Sequence, residues 1–276
     1  MLKPRFIHLT FLLSTVVLLS SCIYYSGPGG GDWTPWGDEP LRGSGDVVSE
    51  IRPVSGIDSV RLDNQGDLSI HIGDTESLVV EAEDNLMPFI QTEVRKGKLH
   101  IFNEGRRWFR HREPIRYTLT VKNLESIEVG STGSVDAPDI VADDFQLSVR
   151  STGNIVMGAL EARHVDIRVS STGDVMLRSL EAASLDVSIS STGHVSIRDG
   201  RAEYQEIRIS STGNYEAMDM ASDVADIRLS STGSAFITVN DYLEADLNST
   251  GSVHYQGDAQ TNIRRNSVGR AVLVRR

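Results

Sequence analysis

Between about residues 127 and 255 the alternation of apolar and polar positions repeats every 20 residues. Each repeat is centred on a Ser-Thr-Gly triplet, beginning at Ser131, Ser151, Ser171, Ser191, Ser211, Ser231 and Ser249, and the step shortens only at the last interval. Four and six residues before the glycine lie apolar, mainly β-branched pairs such as Val129 and Ile127, Val169 and Ile167, or Ile209 and Ile207. Two residues after it a second alternating run begins, as in Val135 and Ala137 or Val175 and Leu177. A third column, Ile140, Leu160, Leu180 and Met220, is broken at Gly200 and Ser222. Period-two alternation in β-branched residues predicts strands, and a fixed period of this length predicts one coil per repeat stacked on its neighbours. The expected fold is all-β, a single-stranded β-helix (β-solenoid) with about 20-residue coils and an irregular β opening segment. Seven coils rising about 4.8 Å each make a rod on the order of 30 to 35 Å long. A variant coil at Ser267-Val268-Gly269 is expected to end it.

The glycines Gly133, Gly153, Gly173, Gly193, Gly213, Gly233 and Gly251 are expected at coil corners, in a positive-φ or otherwise crowded conformation. The hydroxyls beside them are expected to bond backbone groups or one another along the stack. Before the ladder, from Val47 to about Val121, alternation comes in short runs: Ser59–Leu62, Asp67–Ile72, Leu78–Ala82, Leu99–Phe102 and Ile115–Val121. Turn signals such as Lys96-Gly97-Lys98 separate them, and Asn64-Gln65-Gly66 reads as a degenerate corner. These runs predict irregular opening coils with a hairpin-like elaboration that caps one end, and one helical turn within Asp84–Phe89.

The N-terminus carries Lys3 and Arg5, an apolar stretch from Phe6 to Leu19, and then Leu19-Ser20-Ser21-Cys22. This is the make-up of an export signal. Cys22 is the only cysteine, and its place resembles the lipidation site of a bacterial lipoprotein signal. The division expected is therefore a signal at 1–22, a Gly/Pro-rich tether at 23–46 and a solenoid domain at 47–276. Without the signal, 25 Lys and Arg face 38 Asp and Glu, a formal charge of −13. Such an excess of acid excludes nucleic acid as a natural partner.

The lipoprotein-type start, the runs Ile57-Asp58-Ser59-Val60, Gly66-Asp67-Leu68-Ser69-Ile70 and Gly97-Lys98-Leu99-His100-Ile101, and the Ser-Thr-Gly ladder together resemble the putative auto-transporter adhesin, head GIN domain family. The resemblance spans about residues 47 to 270. It implies a β-helical domain of the cell envelope, and it transfers no catalytic residue.

Two constellations stand out from the repeat. Seven residues before the glycine runs a column of acids, Asp166, Asp186, Glu206, Asp226 and Glu244, with Arg168, Arg208 and Arg228 two positions along. It reads as a solvated ladder of ion pairs rather than a metal site, because no loop folds six or more oxygens around one ion. Arg106-Arg107-Trp108-Phe109-Arg110-His111-Arg112 is a basic and aromatic loop in an acidic protein. Arg106, Arg107, Trp108, Arg110 and Arg112 are the candidate ligand contacts, suited to an envelope glycan or another polyanion. The seven histidines show no zinc-type spacing, and neither catalytic residues nor a cofactor are expected. The reading that follows is a non-catalytic, lipid-anchored protein of the cell envelope, held in the outer membrane through Cys22 and facing the periplasm or the surface. A polysaccharide-cleaving β-helix enzyme is the alternative, and a water-ordering threonine array a more remote one. Exposed edges leave oligomerisation open.

Overall fold

The computed structural model describes residues 40–106 and 108–274. The signal, Cys22 and most of the tether lie outside the described residues. The opening segment contributes β1 (Leu41–Arg42), β2 (Val47–Arg52), β3 (Ser59–Asp63), β4 (Asp67–Ile72), β5 (Ser77–Glu83), β6 (Ile90–Arg95), β7 (Lys98–Asn103), β8 (Phe109–Arg110) and β9 (Arg116–Val121). A 3₁₀ turn at Met87–Phe89 meets the expected helical turn. The first strand precedes Val47, so the folded unit begins earlier than the composition of the tether suggested.

The ladder follows as β10 (Ser126–Val129), β11 (Ser134–Ala137), β12 (Ile140–Val149), β13 (Ile155–Val169), β14 (Val175–Ile189), β15 (Val195–Ile197) and β16 (Gly200–Ile209). It continues with β17 (Tyr215–Leu229), β18 (Ser234–Leu247), β19 (Ser252–Gln256), β20 (Gln260–Arg265) and β21 (Arg270–Leu273). All pairings within β10 to β21 are parallel. In the central coils every residue stands beside the one 20 positions on, as Ile167 beside Val187 and Val175 beside Val195. Each column of the sequence is thus a column in space. Val129, Val149, Val169, Ile189, Ile209, Leu229 and Leu247 form one buried row, and the third column, with Leu160, Leu180 and Met220, is buried as well.

The corners explain the triplet. None of its seven glycines lies in the left-handed region. Crowding is the cause: a Cβ at Gly153 or Gly173 would lie 1.9 Å from the carbonyl oxygen of the glycine one coil earlier, and at Gly193, Gly213 and Gly233 the distance would be 2.2 Å. From Gly153 to Gly251 the amide of each of these glycines donates to the serine carbonyl of the coil before, as Gly193 N to Ser171 O at 2.9 Å. Among the described residues, no side-chain hydrogen bond uses the hydroxyls of these triplets, so the expected hydroxyl ladder is replaced by a backbone ladder.

Where the third column breaks, polar groups fill the interior. Tyr215 OH donates to Gln205 Oε1 (3.0 Å), Gln205 Nε2 to Ser222 Oγ (2.6 Å), and Ser222 Oγ to the Thr238 carbonyl (2.9 Å). Gln205 and Ser222 are fully buried, and the two residues missing from the following coil are absorbed by register shifts between Ala217 and Ala221 and between Ser222 and Val224. A closed chain of partners keeps such a buried polar group tolerable.

The cap holds a departure from simple winding. Parallel strand β7 pairs with β3, and β9 with β4, while β10 and β11 pair with the opposite edges of β3 and β4. The later coil, β7 with β9, therefore stacks outside the earlier one. Beyond it, β6 runs antiparallel to β7, β5 antiparallel to β9, and β2 antiparallel to β5. The β6–β7 turn is tight, with Lys96 at φ 51° and Gly97 at φ 79°, the two positive values a two-residue hairpin needs. At the other end, Thr261 and Arg265 of β20 replace apolar residues over Leu243 and Leu247, a polar side for the last coil, while Val272 and Leu273 of β21 stay exposed.

Gly193→Ala is expected to destabilise the protein by about 3 kcal/mol, the upper end of overpacking costs, because the obstructing atom is backbone. Thr192→Ala, on an exposed side chain, should stay within about 0.5 kcal/mol. Urea melts of both variants check the contrast, and equal losses would refute the crowding explanation.

Candidate functional site

The inverted winding of the cap creates a groove on the face formed by β7, β3 and β10. It has a volume of about 710 Å³, with Arg61, Asp63, His100, Phe102 and Trp108 around it and Gly130 at its base. Asp63 belongs to β3 and His100 to β7, 37 residues apart in sequence and adjacent in the stack. Asp63 Oδ2 accepts from Arg61 Nε at 2.6 Å and lies 2.7 Å from His100 Nε2. The Arg61 guanidinium also faces Glu128, 3.2 Å away, which is itself 2.9 Å from Arg150. The hydrogen bond to Asp63, more than the nearby charges, raises the Arg61 pKa against the opposing effect of burial. The imidazole of His100 stacks on Phe102 with centroids 4.5 Å apart.

The basic aromatic loop borders this groove. Trp108 is 64% exposed, whereas Phe109 beside it is buried at 4%. The loop backbone is held on three sides. The Phe109 amide donates to Gln65 Oε1 (3.0 Å), the Leu41 amide to the Trp108 carbonyl (3.0 Å), and the Gly43 amide to the Arg110 carbonyl (3.1 Å). The last two belong to the parallel β1–β8 pairing. Glu83, fully buried, accepts from the amides of Gly45 (2.6 Å) and Arg112 (2.9 Å) and so clamps strap and loop together.

Of the contacts expected from sequence, Trp108 lines the groove and Arg110 is exposed on β8. Arg112 is engaged structurally, its guanidinium donating to the Ser44 carbonyl at 3.3 Å. Arg106 lies in a turn around Gly105, and Arg107 falls outside the described residues. Sequence reasoning missed Arg61, Asp63, His100 and Phe102, which sit in ordinary strand alternation. The one available signal was Gly130, which stands where later coils have Arg150, Ser170 and Ser190. A Cβ there would fall 2.0 Å from Asp63 Oδ1.

The acidic ladder is in the expected register, Asp166 beside Asp186, then Glu206, Asp226 and Glu244. Arg168 pairs with Asp166 and Arg208 with Glu206, while Arg228 bridges Glu206 (2.6 Å) and Asp226 (2.8 Å). Asp186 is the exception, because Ser188 occupies the place of the arginine. Burial first, and then the neighbouring Glu206 charge, raise its pKa. Among the described residues no group of three or more His, Cys, Asp or Glu is arranged to hold a metal.

A stacked β-solenoid with an open, aromatic and charged surface groove is the class these features define. The chain belongs to the putative auto-transporter adhesin, head GIN domain family, whose model matches residues 57–259. Among solved structures, a putative adhesin from Parabacteroides merdae ATCC 43184 superposes with a TM-score of 0.76 at 18% identity, over 84% of this chain and 99% of that one. A putative lipid binding protein from Parabacteroides distasonis ATCC 8503 gives 0.77 at 18% identity, over 85% and 100%. A putative adhesin from the same strain gives 0.70 at 20% identity, over 86% and 100%. At these identities the likeness establishes the shared fold. A search of curated proteins found no match.

Asp186→Asn tests the ladder. The folded pKa of Asp186 is raised, so its ionised form costs the fold stability above that pKa, and the cost is relieved as pH falls through it. The variant should be more stable by about 0.2–1 kcal/mol at pH 7. The gain should shrink as pH is lowered toward 4, read from melts across pH, and a gain that does not depend on pH would contradict the ladder account.

Proposed function

We propose that this protein is a lipid-anchored, non-catalytic binding module of the bacterial cell envelope, held in the outer membrane through Cys22. Membership of an adhesin family supports an envelope role, and the small residues leading to a sole cysteine support the anchor. The observation that carries a binding role is Trp108: a large aromatic side chain left exposed on a backbone fixed by β1, Gln65 and Glu83, at the mouth of the groove. Exposed aromatic residues on rigid supports are typical recognition anchors. Arg110, with Arg106 and Arg107 in the same loop, adds attraction for an acidic glycan or another polyanion. The non-catalytic reading rests on the outer acids, most of which are ion-paired with arginines along the ladder rather than set as an acid–base pair across a cleft.

Cys22→Ser should abolish acyl labelling and move the protein from the membrane to the soluble fraction. Retention in the membrane would remove the anchor. Joint replacement of Arg106, Arg107 and Arg110 by Ser should weaken binding to isolated envelopes or to heparin at least several-fold without lowering the melting temperature. Unchanged binding would remove the loop from the contact surface.

A further inference from the structure

We propose that the groove between Phe102 and Trp108 is a saccharide subsite that seats the ring of a neutral, hydroxyl-bearing pyranose, a reading that rests on the binding-module function above. Its volume of about 710 Å³ lies in the range of small-ligand sites, about 300–1,000 Å³. Trp108 and the His100–Phe102 stack supply apolar surface on two sides, fit for the C–H faces of a sugar ring. Between them lies Asp63, a carboxylate held by Arg61 and His100 through one oxygen, Oδ2. Its other oxygen, Oδ1, accepts no hydrogen bond among the described residues and lies over Gly130. A fixed carboxylate with a free oxygen is a suitable acceptor for adjacent hydroxyls, because its orientation is set before the ligand arrives. Gln65, whose Oε1 is occupied by the Phe109 amide, lines the same groove and keeps its NH₂ group as a donor.

Charge decides between a neutral and an acidic occupant. Within the groove, Arg61 is matched by Asp63 and Glu128. A ligand anion there would compete with carboxylates already in place, whereas hydroxyls can bond to both partners of each pair. The loop arginines supply a separate attraction for acidic groups. An apolar peptide fits poorly, because the two aromatic walls are separated by charged groups whose desolvation it could not compensate.

Gly130 makes the site specific to this coil. Ser at this position is compatible with the ladder, as Ser170 and Ser190 demonstrate, but its Cβ would displace Asp63 Oδ1 from 2.0 Å. The experiment is a glycan array of neutral and acidic oligosaccharides probed with the purified full-length protein, followed by calorimetry on the strongest neutral ligand. Neutral pyranose oligomers should bind, with affinity reduced at least tenfold in Trp108→Ala and in Gly130→Ser while the melting temperature is retained. Arg201→Ser, in an exposed ion pair of the regular coils, should leave neutral-sugar affinity unchanged. Absence of any neutral-sugar binding, or binding that survives both groove variants, overturns the subsite. If the array stays blank while isolated envelopes are still bound, the saccharide subsite fails and the binding-module function stands. Loss of envelope binding in the wild type would instead remove that function itself.

Discussion

Successive coils approach so closely at the Ser-Thr-Gly corner that the carbonyl oxygen of one glycine occupies the space where the next would carry a Cβ. At Gly153 and Gly173 that separation would be 1.9 Å. No side chain is compatible with it, so the corner recurs at the same point of every coil and holds the stack in register. Register then governs all else. In the regular coils each paired side chain meets its counterpart 20 residues away, and columns of like residues form both inside and outside. Inside, this builds a continuous apolar core from Val129 to Leu247. Outside, it forces Asp166, Asp186, Glu206 and Asp226 into adjacent rungs, which the arginines two positions along largely offset. The ladder of ion pairs is a consequence of the corner and needs no ligand to explain it.

Because that register is written in short-range spacing, the ladder was legible from the chain alone. The strand columns, the acidic row, the broken third side at Gly200 and Ser222, the terminal coil at Gly269 and the hairpin at Lys96-Gly97 all follow from local patterns of period two and period 20. The conformation of the corner glycines was legible only as a choice between positive φ and crowding. Crowding is a property of two coils together, and one coil read alone does not contain it. The Gln205–Tyr215–Ser222 chain was hidden for the same reason, since its members come from different coils.

The groove was not legible, and the reason is topological. Alternation identified β3 and β7 as strands but carried no information on which of them would lie next to β10. The structure sets β7 outside β3, so that His100 meets Asp63 across 37 residues of sequence. A linear order of winding would have separated this pair, and neither residue differs from the charged positions of any outward-facing strand. Trp108 was visible as an unusual residue, yet its fixed orientation depends on Glu83 and on the strap at Leu41–Arg42, in a stretch whose composition reads as linker.

Repetition and recognition make opposite demands on such a fold. In a ladder each polar side chain has its partner one rung away, so the regular coils present a surface whose interactions are already satisfied internally. A free acceptor requires a break in the repeat, and Gly130 provides one, at the junction between the inner opening coil, β3 with β4, and the first regular one. There the absent side chain leaves room for Asp63, the inverted coil supplies His100 and Phe102, and the strap fixes Trp108. The strap at Leu41–Arg42 is also the first strand of the described residues. The β1–β8 pairing and the Glu83 clamp are the contacts that hold the backbone at Trp108. The orientation of Trp108 thus rests on a few hydrogen bonds, while the remaining coils form a continuous parallel stack behind them.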